Sequence, residues 1–425
     1  MYEVALPRHV EPAHASREQL RRARIAVAIT FAANGLIMGA WAPRIPEVKN
    51  HLDLSSASLG VALLAPAVGS LVSMRLIGGW TSRFGSAAAT RWMVAGNCAS
   101  AWLVGVAPNL ATLCLALLVI GFTVGGLDVA MNAQGVTVET GYRRPVLSSF
   151  HAAWSIGSFA GAVIGGIGAG LHVPIWLQQS ALGVVLATAT LWAGRAFLAD
   201  PSHEAGDADD AEEAGDADEA NEIAEEIEAS PLQRRRLRLP ELRLVLLGIA
   251  GIFALMSEGA VSDWSGVLLR DHLHVRAGQV GFAFAAFSIM MTAGRVVGDR
   301  IVHALGRARC VAGLSVVGAA GLAIGMGTNT LSGDVIGFAF LGVGLAVMVP
   351  VLFSTAADTD GPSGPAIATV SSFGYLGFLL GPSGIGLVAQ AAGVPFALWL
   401  LPFFTLAGGV LGVIAVRLTG ARKAR

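Results

Sequence analysis

Twelve apolar runs, each bounded by charge, Pro or Gly, leave this chain one class of fold. They fall at about 25–43, 58–79, 89–107, 110–138, 147–170, 174–194, 243–264, 278–297, 310–328, 332–356, 366–390 and 394–416. A helix needs ~20 residues to cross a hydrocarbon core roughly 30 Å thick, so each run is long enough to be a span. Composition agrees: 54% of residues are hydrophobic, 13% are charged and the mean hydropathy is +0.65, a balance foreign to soluble domains. Cys98, Cys114 and Cys310 sit inside apolar runs without metal or disulfide spacing and read as small hydrophobes. The first run follows a 24-residue polar tail and is too long and too internal for a cleaved signal peptide.

An even number of spans puts both termini on one side, and the basic residues choose the side. Of 28 Lys and Arg, only Arg44, Lys49, Arg270 and Arg276 fall opposite the termini. By the positive-inside rule both ends are cytoplasmic, giving a multi-pass protein of the cell (inner) membrane. The central connection, 199–242, carries 14 acids and no Lys or Arg from Asp200 to Glu228, followed by "RRRLR" at 234–238. The acidic part reads as a solvated segment and the basic part as an anchor to anionic lipid.

Across this linker the chain repeats itself. His51-Leu52 recurs as His272-Leu273, Gly60 as Gly281 and Gly85 as Gly306, each 221 residues on; Gly157 and Gly161 recur as Gly377 and Gly381 at 220, and "SSF" at 148–150 recurs at 371–373. The expected division is a tail (1–24), a six-helix half (25–198), the linker (199–242), a second half (243–416) and a short tail (417–425). Six spans per half preserve direction, so the copies are parallel repeats with a site at their interface near the midplane. The fold class is therefore an all-α membrane protein of twelve transmembrane helices in two pseudo-symmetric halves.

This pattern resembles the major facilitator superfamily. Its signature between spans 2 and 3 is matched by "GGWTSRFGSAAATR" (78–91), which keeps Gly78, Arg83, Gly85 and Arg91 but has Ser82 where the family has an acid. The second copy, "GDRIVHALGRAR" (298–309), has Asp299-Arg300, Gly306 and Arg307. Glycines allow a tight turn and the charges can latch the halves as they rock, so Arg83, Gly85, Asp299, Arg300 and Gly306 are candidate gating residues. Simple anchoring of topology is the alternative for the bases.

Inside "FTVGGLDVAMNAQGV" (122–136) stands one acid, Asp128. Gly121, Gly125, Asp128 and Asn132 are spaced 4, 3 and 4 apart and form one helical stripe, small where a backbone can approach and polar where something is bound. An ionised acid in a span costs ~2.5–3.5 kcal/mol on insertion scales, so it must face the bundle interior, be protonated or have a partner. Such a group can exchange a proton as water access changes; a structural bond to a neighbouring helix is the alternative.

"GLDVAMN" also resembles the fucose-permease-related group, and "GLDVAMNAQ", "SSFH", "EGAVSDW" and "GYLGFLLGP" resemble a bacterial inner-membrane group of the same superfamily. The first resemblance implies sugar recognition and proton coupling at Asp128 and Asn132. That group also has an acid in its first helix, whereas "TFAANGLIMGAW" offers only Asn34. In "LMSEGAVSDWSG" (255–266), Glu258 lies within the span, available to the transport cycle or to a pair with Arg270 or Arg44, and Asp263 near its exit, solvated.

Trp41, Trp154, Trp264 and Tyr375 could stack on an amphipathic solute or form interfacial belts, the belt suiting Trp41 and Trp264 better and the solute Trp154 and Tyr375. His151 follows "SSF" and could relay a proton to Asp128 or simply pack in the core. The glycines of "GSFAGAVIGG" (157–166) are explained by close helix packing. No Walker loop, His/Cys cluster or nucleophile elbow is present, so no enzyme, metal or cofactor is expected. The expected function is secondary, proton-coupled transport of a small organic solute such as a sugar, by a monomer in the lipid bilayer that binds no nucleic acid. The alternatives are an exporter of amphipathic compounds and a membrane sensor or scaffold that translocates nothing.

Overall fold

The computed structural model describes residues 16–142, 146–199, 242–358 and 363–423. The first half comprises α1 (Arg17–Trp41), α2 (Ser56–Phe84), α3 (Ser86–Ser100), α4 (Leu110–Tyr142), α5 (Leu147–Gly170) and α6 (Ile175–Ala193). The second comprises α7 (Leu242–Val267), α8 (Phe282–Leu305), α9 (Arg307–Gly327), α10 (Leu331–Leu345, resuming at Met348–Ala357), α11 (Ser363–Ala392) and α12 (Val394–Leu398, resuming at Leu400–Lys423). A short helix, Ile45–His51, follows α1.

Among the described residues eleven helical segments are long and apolar enough to cross a membrane. The third run is not one of them: Arg91 and Asn97 interrupt its apolar stretch, and its helix passes into a 3-10 turn at Ala101–Gly105. The Ser100 hydroxyl donates to the Asn97 carbonyl at 3.2 Å, a local bond that competes with the regular ladder. Gly105 is required there, since a Cβ would come within 2.3 Å of the Trp176 amide nitrogen.

The sequence repeat is also a repeat of backbone conformation. Gly85 (φ 81°) and Gly306 (φ 79°), Asp53 (φ 48°) and His274 (φ 51°), and His172 (φ 56°) and Gly393 (φ 90°) are left-handed residues, each pair 221 positions apart. Packing follows the same symmetry: α1 lies on α5 as α7 lies on α11, α2 on α4 as α8 on α10, and the halves meet through α2 against α11 and α5 against α8.

Small residues set the helix separations. A Cβ on Gly157 or Gly161 would lie 2.1 or 2.2 Å from the Ala32 or Leu36 carbonyl oxygen of α1, and one on Gly377 would lie 2.4 Å from that of Ile252 in α7. The Gly-rich stretch of α5 is thus a packing surface. Without a hydrophobic driving force between helices in lipid, such backbone approach is what holds a bundle together. Large apolar side chains such as Leu76, Trp92, Val184 and Trp192 are exposed on its outside, where the acyl chains lie.

The two ends of the bundle differ. At the end away from the chain termini, Lys49 bridges to Asp271 at 2.6 Å across the halves, Gly60 of α2 packs on Gly386 of α11, and Gly170 of α5 packs on Gly278 just before α8. Trp264 is fully buried at this closure, against Gly386, so it is a core residue and no part of an interfacial belt. Arg44, also fully buried, donates to the Gln178 side chain and the Val173 carbonyl, both at 2.7 Å, and pairs with Glu47. At the termini end, a Cβ on Gly78 or Gly306 would meet nothing within 4 Å.

Candidate functional site

Two adjoining cavities, about 290 and 370 Å³, lie between the halves and share Met38, Pro66, Trp154, Ser262, Asp263 and Phe378 in their walls. Asp128 lines the second, together with Asn34, Ser70, Tyr375 and Pro382. The local reason is visible in α4. A Cβ on Gly121 would come within 2.0 Å of the Pro66 carbonyl oxygen and one on Gly125 within 2.5 Å of the Ser70 Cα, so this stripe seats α4 on α2. One turn further on, the same stripe turns the Asp128 carboxylate toward the space between the halves.

Asn132 does not reach that space as a separate contact. Its amide donates to the Asp128 carbonyl at 2.8 Å and to the carboxylate Oδ1 at 3.2 Å, steadying the acid from one turn away. Asn34, 3% exposed, accepts from the Asn97 amide at 3.1 Å and lines the same cavity as Asp128. Trp154 lines both cavities and Tyr375 the second. Trp41 also lines the first, so its place is in the cavity wall and not in a belt.

Glu258 is in the wall of the first cavity, and its partner is neither Arg270 nor Arg44: it pairs with Arg295 of α8 at 3.7 Å. Arg270 instead donates to the Val275 carbonyl at 2.7 Å. Asp263, expected near a solvated exit, lines both cavities and accepts from Ser262 at 3.3 Å. The reason is that α7 continues through a wide turn at Leu268–His272, which carries the far-end exit beyond position 263. His151 is exposed, sets its ring edge-on to Phe31 with centroids 5.3 Å apart, and is absent from the walls of both cavities.

Reading the sequence overlooked Arg295 and Gln179. Arg295 is the lone base in the eighth apolar run, and that isolation was the available signal; Gln179 sits beside Gln178 in the sixth run, and the pair of amides in a span was its signal. The hairpin that places α5 is fixed by another residue not singled out: the Glu139 carboxylate accepts from the Val146 and Leu147 amides at 2.6 and 2.9 Å, capping the start of α5.

The gating candidates occupy the termini end. Gly85 and Gly306 form matching left-handed turns, the Arg83 guanidinium lies 5.4 Å from the Phe84 ring centroid, and Arg300 is exposed. The side chains of Ser82 and Asp299 lie outside the described residues, as do the linker from 200 to 241, most of the first tail and the final two residues. Nearby bases are tied within their own halves: Arg91 donates to the Gly194 carbonyl at 3.1 Å, and Arg307 pairs with Asp358.

Two repeated six-helix halves, closed on each other at one end around an acid-bearing cavity, define a polytopic membrane transporter of the two-half type. The sequence pattern of the Major Facilitator Superfamily matches residues 25–363, and the chain belongs to that family. It is 33% identical over 375 residues to an uncharacterized MFS-type transporter of Yersinia pestis, covering 88% of this chain and 91% of that one. It is 32% identical over 393 residues to the membrane protein MosC of Rhizobium meliloti, covering 91% and 87%. Among solved structures, a bacterial homolog of the human lysosomal transporter Spinster, inward-facing and unoccupied, superposes with a TM-score of 0.71 at 12% identity, over 95% of this chain and 98% of that one. The nucleoside transporter NupG gives 0.62 at 12%, over 94% and 98%. At these identities the structural likeness concerns the fold.

Proposed function

We propose that this chain is a secondary transporter that moves a small organic solute, such as a sugar-like compound, across the cytoplasmic membrane by alternating access, with Asp128 coupling the cycle to protons. The observation that carries this reading is the position of Asp128: a carboxylate in a span, lining a cavity between the halves, with no ion-pair partner among the described residues. Keeping such a group ionised in a membrane costs ~2.5–3.5 kcal/mol, which favours a proton or a ligand at that site whenever water leaves it.

The halves, divided at the 199–242 linker, are the bodies that rock, and the termini face the cytoplasm as the distribution of bases indicates. In that orientation the Lys49–Asp271 end is the outer gate, closed here, and Arg83, Gly85, Asp299, Arg300 and Gly306 belong to the inner gate. His151 lies on α5 near the cytoplasmic rim, where a proton leaving Asp128 would pass. The transporter acts as a monomer in lipid.

Reconstitution tests this. Purified chain in proteoliposomes should accumulate solute when an inward proton gradient is imposed, and Asp128→Asn should abolish that accumulation while leaving exchange of solute across the membrane. Accumulation by Asp128→Asn equal to that of the wild-type chain removes Asp128 from coupling. Tight solute binding with neither uptake nor exchange removes transport itself.

A further inference from the structure

Among the described residues, the walls of the two adjoining cavities carry three carboxylates and one guanidinium, and the geometry does not distribute the neutralisation evenly. Glu258 has Arg295 at 3.7 Å. Asp128 and Asp263, contributed by α4 and α7 from opposite halves, line one cavity and, among the described residues, receive only the neutral donors Asn132 and Ser262. Neutral donors orient a carboxylate without cancelling its charge. Two acids facing a space bounded largely by apolar side chains leave a negative potential that low-dielectric walls strengthen.

The rest of the wall suits the complement of that potential. Trp154, Tyr375 and Phe378 present aromatic surface to the cavity that holds both acids, and ring faces attract cations. Independently, Gln179, 1% exposed, stands in the wall of the adjoining cavity with its Oε1 lacking any hydrogen-bond partner. A buried carbonyl oxygen left unmatched is costly unless a donor arrives, and an ammonium N–H or a hydroxyl supplies one. The cavity volumes, about 290 and 370 Å³, admit a small organic molecule.

We infer that the transported solute is an organic cation, an amine or ammonium whose charge lies between Asp128 and Asp263 and whose body rests on Trp154 and Tyr375. This rests on reading the inter-half cavity as the transport site, and it assigns Asp263 a role in choosing the solute that Asp128 alone does not explain. A cation joins the halves electrostatically at a place where, among the described residues, each contributes an acid without an ion-pair partner, so loading the cavity and drawing the halves together become the same event.

The test is equilibrium binding to the purified full-length chain, followed by tryptophan fluorescence, with two charge pairs: benzyltrimethylammonium beside benzyl alcohol, and glucosamine beside glucose. Each cation should bind about tenfold or more tightly than its neutral counterpart. Asp263→Asn, with Asp128 still in place, should shrink that preference several-fold, and Asp263→Glu, which keeps the charge, should retain it and guard against misfolding as the cause. Equal binding within both pairs, no binding by either cation, or an undiminished preference in Asp263→Asn each overturns the inference. Proton-driven flux of a neutral solute without cation preference sinks this inference and leaves transport standing; cation preference without flux does the reverse.

Discussion

The two halves of this molecule share a backbone and differ in chemistry. Left-handed residues recur in pairs 221 positions apart, at 53 and 274, 85 and 306, and 172 and 393, and the glycines of α5 and α11 press on α1 and α7 in the same way. The polar residues of the cavity do not follow this rule. At the same spacing, Asp128 corresponds to Val349, Asp263 to Ala42, Glu258 to Ile37 and Arg295 to Met74. Repetition builds the frame, and the departures from repetition mark where the frame is put to use.

The largest effect should come from the departure in α4. Asp128→Asn keeps size and the bond with Asn132 but loses the exchangeable charge, and gradient-driven accumulation in proteoliposomes should fall about a hundredfold or more, the scale of a positioned proton-transfer group. Next come paired substitutions within the shared frame. Gly157→Ala and Gly377→Ala place a Cβ within 2.1 and 2.4 Å of facing carbonyl oxygens, and each should lower stability by ~1–3 kcal/mol, the usual cost of overpacking. Thermal unfolding in detergent reads this. A loss in one half with none in the other breaks the claim that the halves share a packing rule.

A smaller effect is expected at the Glu258–Arg295 pair. Arg295 is 38% exposed and Glu258 21%, so the solvated cavity screens them and Arg295→Gln should cost only about 1 kcal/mol. If the pair holds α7 to α8, Glu258→Gln combined with Arg295→Gln should recover part of that cost. A double variant as unstable as the sum of its parts shows that the two residues act separately.

How much of this was legible in the chain follows from the same contrast. The spans, the duplication and the stripe from Gly121 to Asn132 were readable because hydropathy, repeat spacing and helical periodicity are properties of order along the sequence. The third span was readable only as a run: the close approach of Gly105, in its 3-10 turn, to the Trp176 backbone joins residues far apart in sequence. Asp263 was misplaced because the apolar run ends at 264 whereas the helix continues through the turn at 268–272. Partners were the least accessible part. Glu258 has bases nearby in sequence at Arg270 and in the first half at Arg44, yet meets Arg295, a choice made by how α7 and α8 cross. The same holds for Asn34 and Asn97.

The finest test lies at the closed end, where the halves oppose one another at nearly equivalent positions. Lys49 and Asp271 are 222 residues apart and carry opposite charges, so a pseudo-two-fold axis brings them together, and their side chains remain 15% and 25% exposed. A pair this accessible contributes at most about 1 kcal/mol, enough to change the population of a state opened at that end about fivefold. Lys49→Ala or Asp271→Ala should therefore raise, by about that factor, the rate at which an impermeant thiol reagent applied to that face modifies a cysteine placed at Ser262. Exchanging the two charges should restore the slow rate, because the pair requires opposite signs and not a particular order. If the exchanged variant stays fast, the closure is held by Gly60 on Gly386 and Gly170 on Gly278 alone, and the charges at that end do no more than set the solubility of the rim.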